Sequence, residues 1–187
     1  MKTKIILLIL TIILTSGFRL SAQDGISGTK MLVVYFSHTK NTKEIAMQIQ
    51  ELTGADTFEL VPARDYPTEY QTLIEQAKKE INAGYKPVLK SNMESIKQYD
   101  VIFVGSPNWW STIAPPVATF LGSHDFSGKT IVPFMTHEGT KMGSSEADMK
   151  KSCPKSIFLK GLPIRGSLVK KAKPEVALWL REIKMIK

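Results

Sequence analysis

From residue 31 onward, uninterrupted apolar runs alternate with segments whose apolar residues return every three or four positions. Met31 to Phe36 reads MLVVYF, the pattern of a strand covered on both faces. Ile45, Ile49 and Leu52 then recur at helical spacing, and Thr57 to Val61 makes a weaker strand. Tyr70, Leu73, Ile74, Ala77 and Ile81 form one helical stripe ended by Gly84. Read on in the same way, the chain predicts strands over 31–36, 57–61, 101–104, 130–135 and 156–159. Helices are predicted over 43–52, 68–83, 115–121, 144–151 and 174–185, with Pro115 and Pro116 tolerated in a first helical turn.

Five strands alternating with helices predict an α/β fold: a three-layer, doubly wound, five-stranded parallel sheet with helices on both faces. In such open sheets ligands bind outside the carboxyl ends of the strands, where strand order reverses. The segments after Phe36, Val104 and Met135 are therefore the places to look.

The first residues follow a different pattern. Lys2 and Lys4 precede the apolar run Ile5 to Leu14, and the more polar TSGFRLSAQ follows. That order predicts a secretory signal over 1–22, cleaved after Ala22, then a polar lead-in over 23–30 and one domain over 31–187. The expected location is periplasmic or extracellular, with no stable membrane insertion after cleavage. The alternative is an uncleaved N-terminal anchor, although the run is shorter than the roughly 20 apolar residues of a bilayer span. The 187 residues are 43% hydrophobic and 22% charged, enough for one good core. The net charge is +8 and stays positive without Lys2, Lys4 and Arg19. Cys153 is the single cysteine, so no internal disulfide is available. No metal-ligand spacing is present. The basic stretch Lys150 to Lys173 lacks interleaved aromatics, which argues against nucleic acid and leaves a solvated face or a patch for an acidic partner.

Three segments hold the candidate chemistry. Ser37-His38-Thr39-Lys40-Asn41-Thr42 lies where the first strand hands over to a helix. Amides at a helix N-terminus lack intrahelical acceptors and the dipole favours an anion there, so the turn reads as a phosphate seat or, equally, as an ordinary helix cap. It matches neither a Walker loop nor a dinucleotide fingerprint. GSPNWWSTIAPP, after the third strand, puts Trp109 and Trp110 in a loop. Two large aromatics at a ligand-binding edge suggest stacking on a planar ring, against the alternative that they fold inward. THEGTKMGSS, after the fourth strand, offers Gly139 and Gly143 for close backbone approach to a ligand, or simply a turn into a capped helix.

Taken together, YFSHTKNT, GSPNWW, PPVATFL, DFSGKTIVPFMTHEG and the following GSS resemble a flavodoxin-like protein of the group with a Pro-x-Trp-Trp loop. The likeness runs from about Met31 to the C-terminus. It implies the strand order 2-1-3-4-5 with FMN at the switch point, both properties of that family. It also implies that Ser37, Thr39, Asn41 and Thr42, with the backbone of His38 and Lys40, hold the FMN phosphate. Pro107, Asn108, Trp109 and Trp110 would lie beside the isoalloxazine, and Thr136, His137, Glu138 and Gly139 near its other edge. Lys40 replaces the family's glycine in T-G-N-T; if the position needs positive φ, lysine costs about 1 kcal/mol. Ser111 stands where the group often has glycine, and the basic charge departs from acidic electron-carrier flavodoxins. His137 is the best titratable candidate beside the ring, or a loop histidine bonded locally.

Three functions remain open on the sequence. One is an FMN-dependent oxidoreductase that takes electrons from NAD(P)H and reduces a quinone or similar small acceptor. The second is an electron carrier docking with protein partners, and the third a binding scaffold without flavin.

Overall fold

A computed structural model describes residues 28–187. The expected signal over 1–22 and most of the lead-in fall outside the described residues. Among the described residues no helix is long and apolar enough to cross a membrane.

Strand β1 (Met31–Tyr35) is buried at every position. Its side chains alternate between two cores, as the two-residue period of a strand requires. Leu32, Val34 and the following Phe36 enter one cluster, while Met31, Val33 and Tyr35 enter the other. The same division splits Ile102 and Val104 from Val101 and Phe103, and Ile131 and Met135 from Val132 and Phe134. A continuous apolar run is therefore the mark of a strand with helices on both sides.

In chain order the further elements are α1 (Asn41–Thr53), β2 (Asp56–Glu59), α2 (Tyr70–Asn82), β3 (Val101–Trp109) and β4 (Thr112–Ile113). After these come α3 (Pro115–Ser123), β5 (Thr130–His137), α4 (Ser145–Ser152), β6 (Ile157–Phe158), β7 (Leu162–Arg165), a 3-10 turn at Gly166–Lys171, and α5 (Lys173–Glu182). The sheet order is β2-β1-β3-β5-β6, with β7 also beside β5 and β4 folded back antiparallel on β3. The pairs of the main layer are parallel. Helices α1 and α5 cover one face through Ile45, Ile49, Val176 and Leu180. Helices α2, α3 and α4 cover the other through Leu73, Val117, Phe120 and Met149.

Counted by position, the parallel layer has the expected order 2-1-3-4-5. Two strands differ from the sequence-based expectation. The fifth position, expected as one strand over 156–159, holds two short pieces, β6 and β7. Between them the Gly161 N–H donates to Glu146 Oε1 at 3.1 Å and the Lys160 carbonyl accepts from Trp179 Nε1 at 2.9 Å. Bonds to side chains of α4 and α5 thus replace the ladder there. The third strand, expected to end at Val104, continues for five more residues, pairing as far as Pro107↔Thr136 with β5. A central parallel neighbour holds this Gly-Ser-Pro-Asn stretch extended despite its loop-like composition.

Candidate functional site

A cavity of about 750 Å³ opens at the carboxyl ends of β1, β3 and β5. Of the residues singled out in the sequence, His38, Thr39, Asn41, Pro107, Asn108, Trp109, Trp110, Thr136, His137, Glu138 and Gly139 line it. Ser37, Lys40 and Thr42 stand just behind this surface, and their roles are local.

The Phe36 N–H still bonds the Gly105 carbonyl at 3.1 Å, so β1 stays tied to β3 until the turn begins. The chain then reverses through Lys40, whose φ of 68° is left-handed. Lys40 is the N-cap of α1, and its carbonyl accepts from the Glu44 N–H at 3.0 Å. Ser37 Oγ accepts from the Lys43 N–H at 3.2 Å, capping the helix from three residues further back. Thr42, buried, shares a 2.8 Å hydroxyl bond with the buried Thr136 at the end of β5. This bond fixes the first turn of α1 to the next loop. The amides of Thr39 to Thr42 take no protein acceptor among the described residues. Ser37 thus supplies a cap, and the preceding amides are left without a protein acceptor among the described residues.

The segment expected as the tryptophan loop is a β-hairpin. Trp109 pairs with Thr112, leaving Trp110 and Ser111 as a two-residue turn with φ of 51° and 64°. Positive φ at both central positions is the type I′ pattern, which ordinarily selects Asn-Gly. Trp109 is packed edge-on to Phe36 at 5.4 Å and Tyr66 at 4.9 Å, with His38 at 6.1 Å. Packed in this way, it offers the cavity a fixed aromatic surface. Trp110 leans the other way: Nε1 donates to the Ile74 carbonyl of α2 at 2.8 Å, and its ring stays 49% exposed. The two tryptophans thus serve different walls.

The third segment clamps the hairpin. Asn108 Nδ2 donates to the Lys141 carbonyl at 2.7 Å, and the Ser144 N–H and hydroxyl donate to the Ser111 carbonyl at 2.7 and 3.0 Å. Asp148 of α4 accepts from both Thr112 and Ser144 at 2.6 Å. Burial alone pushes the Asp148 carboxyl up, but the hydroxyls of Ser144 and Thr112 and the Lys151 ammonium outweigh it and hold it low. Gly143, with φ of 54°, lies against the Ser111 carbonyl so closely that a Cβ would collide. Its close approach is therefore to the hairpin rather than to a ligand; Gly139 is the glycine that lines the cavity.

His137 is held below its usual range by burial first; nearby Glu138 opposes the shift, and Arg165 and Lys141 add to it. His137 Nδ1 and Asn108 Oδ1 are buried in the cavity walls without a partner among the described residues. Beside them Gly166 leaves no room for a side chain: a Cβ would meet Glu138 Oε1 and come within 2.7 Å of Asn41 Nδ2.

Sequence reasoning missed the α2 wall, formed by Tyr70, Leu73, Ile74 and Ala77, and also Gly166. The α2 residues belong to the helical stripe seen in the sequence, but periodicity alone does not say which of them meet a cavity. Leu73 and Ala77 are buried, whereas Tyr70 is 72% exposed, so the stripe is wider than the core needs. Gly166 follows β7, a strand that the apolar pattern did not predict.

The family model for flavodoxin matches residues 30–183. A candidate flavoprotein from Bacteroides eggerthii DSM 20697 is 31% identical, with 83% of this chain and 98% of that chain covered and a TM-score of 0.74. A second, from Bacteroides uniformis ATCC 8492, is 28% identical over 82% and 99% of the two chains, also with a TM-score of 0.74. The flavoprotein of Lactobacillus acidophilus NCFM, solved in complex with FMN, shares the fold at 23% identity over 76% and 97%, with a TM-score of 0.61. Among curated proteins none matches the chain.

Proposed function

The chain belongs to the flavodoxin family, and from that premise we propose that it binds FMN and passes electrons through it to a small acceptor such as a quinone, with NADH or NADPH as donor. The observation behind this reading is the pairing of two chemistries across one cavity: unclaimed amides at the start of α1 on one side and the fixed ring of Trp109 on the other.

The residues fit this cofactor. Thr39 to Thr42 offer amides and a helix N-terminus suited to a phosphate dianion. Trp109 supplies an apolar face for a conjugated ring, and the orphaned polar atoms of Asn108 and His137 imply a polar partner in the same walls. Gly166 and Gly139 leave their stretches of backbone bare of side chains. FMN supplies the redox chemistry when bound; the protein holds it, limits water and sets the local charge. The low proton affinity of His137 leaves a neutral imidazole at neutral pH, so the nearby positive charge comes from lysines and Arg165.

The 750 Å³ cavity, open beside the α2 wall, supports a small-molecule acceptor rather than protein docking alone. The basic n-region, apolar run and polar zone over 1–22 support export, with mature N-terminal sequencing of the secreted fraction as the check. Function is tested by stopped-flow mixing of FMN-loaded protein with NADH or NADPH, followed by a benzoquinone. Bleaching of the flavin absorbance and its recovery on adding quinone are expected. A flavin that neither nucleotide reduces would overturn the oxidoreductase reading.

A further inference from the structure

The α2 wall lies in the same cavity as the loops after β1, β3 and β5 but comes from a different element. Leu73 and Ala77 form its floor, Ile74 its half-buried middle, and Tyr70 and Trp110 its outer edge. Tyr70 is 72% exposed and Trp110 49%, so the apolar surface runs past the enclosed space to the mouth. Were a flavin ring to fill the space between Trp109 and the loop after β5, that outer edge would stay open to a second molecule. A contiguous exposed apolar patch with a polar rim marks an interaction surface or a ligand groove. Trp110 is fixed to this wall by its bond to the Ile74 carbonyl.

Charge narrows the occupant. Lys78, one turn beyond Ile74, places its ammonium 4.7 Å from the Trp110 ring centroid. No carboxylate among the described residues lies within ion-pair distance of it. Glu75 on the same helix is engaged by Gln71 instead, at 2.8 Å. A cation at the lip of an apolar aromatic wall selects a flat hydrophobic molecule with an acidic group at one end.

We propose that the α2–Trp110 wall is an acceptor subsite for a planar, mostly apolar molecule bearing one anionic substituent, which Lys78 receives. The proposal rests on FMN occupying the remainder of the cavity. It makes Tyr70, Ile74 and Trp110 selective for flatness and Lys78 selective for charge.

The probes are anthraquinone-2-sulfonate and its neutral 2-hydroxymethyl counterpart, titrated calorimetrically into oxidised, FMN-saturated protein. The sulfonate is expected to bind about fivefold more tightly, the scale of one partly exposed ion pair. Lys78→Gln should bring the two probes together without changing FMN affinity, and added salt should do the same. Tyr70→Ala should weaken both probes alike. Equal binding of the two probes, indifference to Lys78→Gln, or no binding at all with FMN in place would overturn the subsite. So would competition between probe and FMN, because the wall would then belong to the flavin ring. Protein that takes up no FMN fails at an earlier step and removes the functional reading together with the subsite.

Discussion

Lys40 and Ser111 occupy left-handed conformations, the backbone region that favours glycine. The steric cost for an L-residue is about 1–2 kcal/mol, whereas glycine adds about 0.5–1 kcal/mol of chain entropy in the unfolded state. Lys40→Gly should therefore stabilise the flavin-free protein by about 0.5–1 kcal/mol in urea denaturation, and Lys40→Ala should not. An equal response to both would mean that the left-handed turn is unstrained. His137 gives a pH signature. Its folded-state proton affinity lies below the ordinary value near 6.5, chiefly through burial. The unfolded chain thus takes up the proton first as pH falls. Stability is full above about pH 6.5 and declines as pH drops from there through the lowered folded value. His137→Gln should flatten that decline in denaturation midpoints measured between pH 7.5 and 5. The candidate positions stood out in the sequence by residue type, because hydroxyls and indoles clustered at strand ends are conspicuous there. Their backbone angles did not, since a left-handed lysine leaves no trace in composition.

Among the elements, the hairpin β3–β4 and the loop ahead of α4 act as one unit. Gly143 sits against Ser111, Asn108 reaches Lys141, and Asp148 collects hydroxyls from both sides. Gly143→Ala should push the two loops apart and weaken FMN binding more than it lowers stability, read by comparing a flavin titration with a urea curve. In the centre of β3, Gly105 has the Phe134 ring directly over its Cα. Gly105→Ala is an overpacking change expected to cost about 1–3 kcal/mol, and a smaller loss would mean that the ring rotates aside. The strands of the central layer were readable because both of their faces are buried, which leaves apolar runs without gaps. The outer half of β3 and all of β7 were not: Gly-Ser-Pro-Asn and Leu-Pro-Ile-Arg look like loop, and only the ladder offered by β5 makes them extended.

For the molecule as a whole, the parallel sheet decides where chemistry can occur. Strand order reverses beside β1, so the turns after β1, β3 and β5 converge at one edge although they are far apart in the chain. That convergence was foreseen from alternating elements, and with it most of the loop residues that line the cavity. The α2 wall escaped because an amphipathic stripe does not say which of its edges meets core and which meets a cavity. The proposed function depends on one claim, that flavin mononucleotide seats its phosphate on the first turn of α1 and its ring against Trp109. The decisive measurement is a titration of the purified protein with FMN followed by tryptophan fluorescence. Quenching to a one-to-one end point is expected, with binding at least about tenfold weaker in Trp109→Ala, the effect of losing roughly 1.4 kcal/mol of ring contact. Fluorescence that does not change under excess FMN would contradict it.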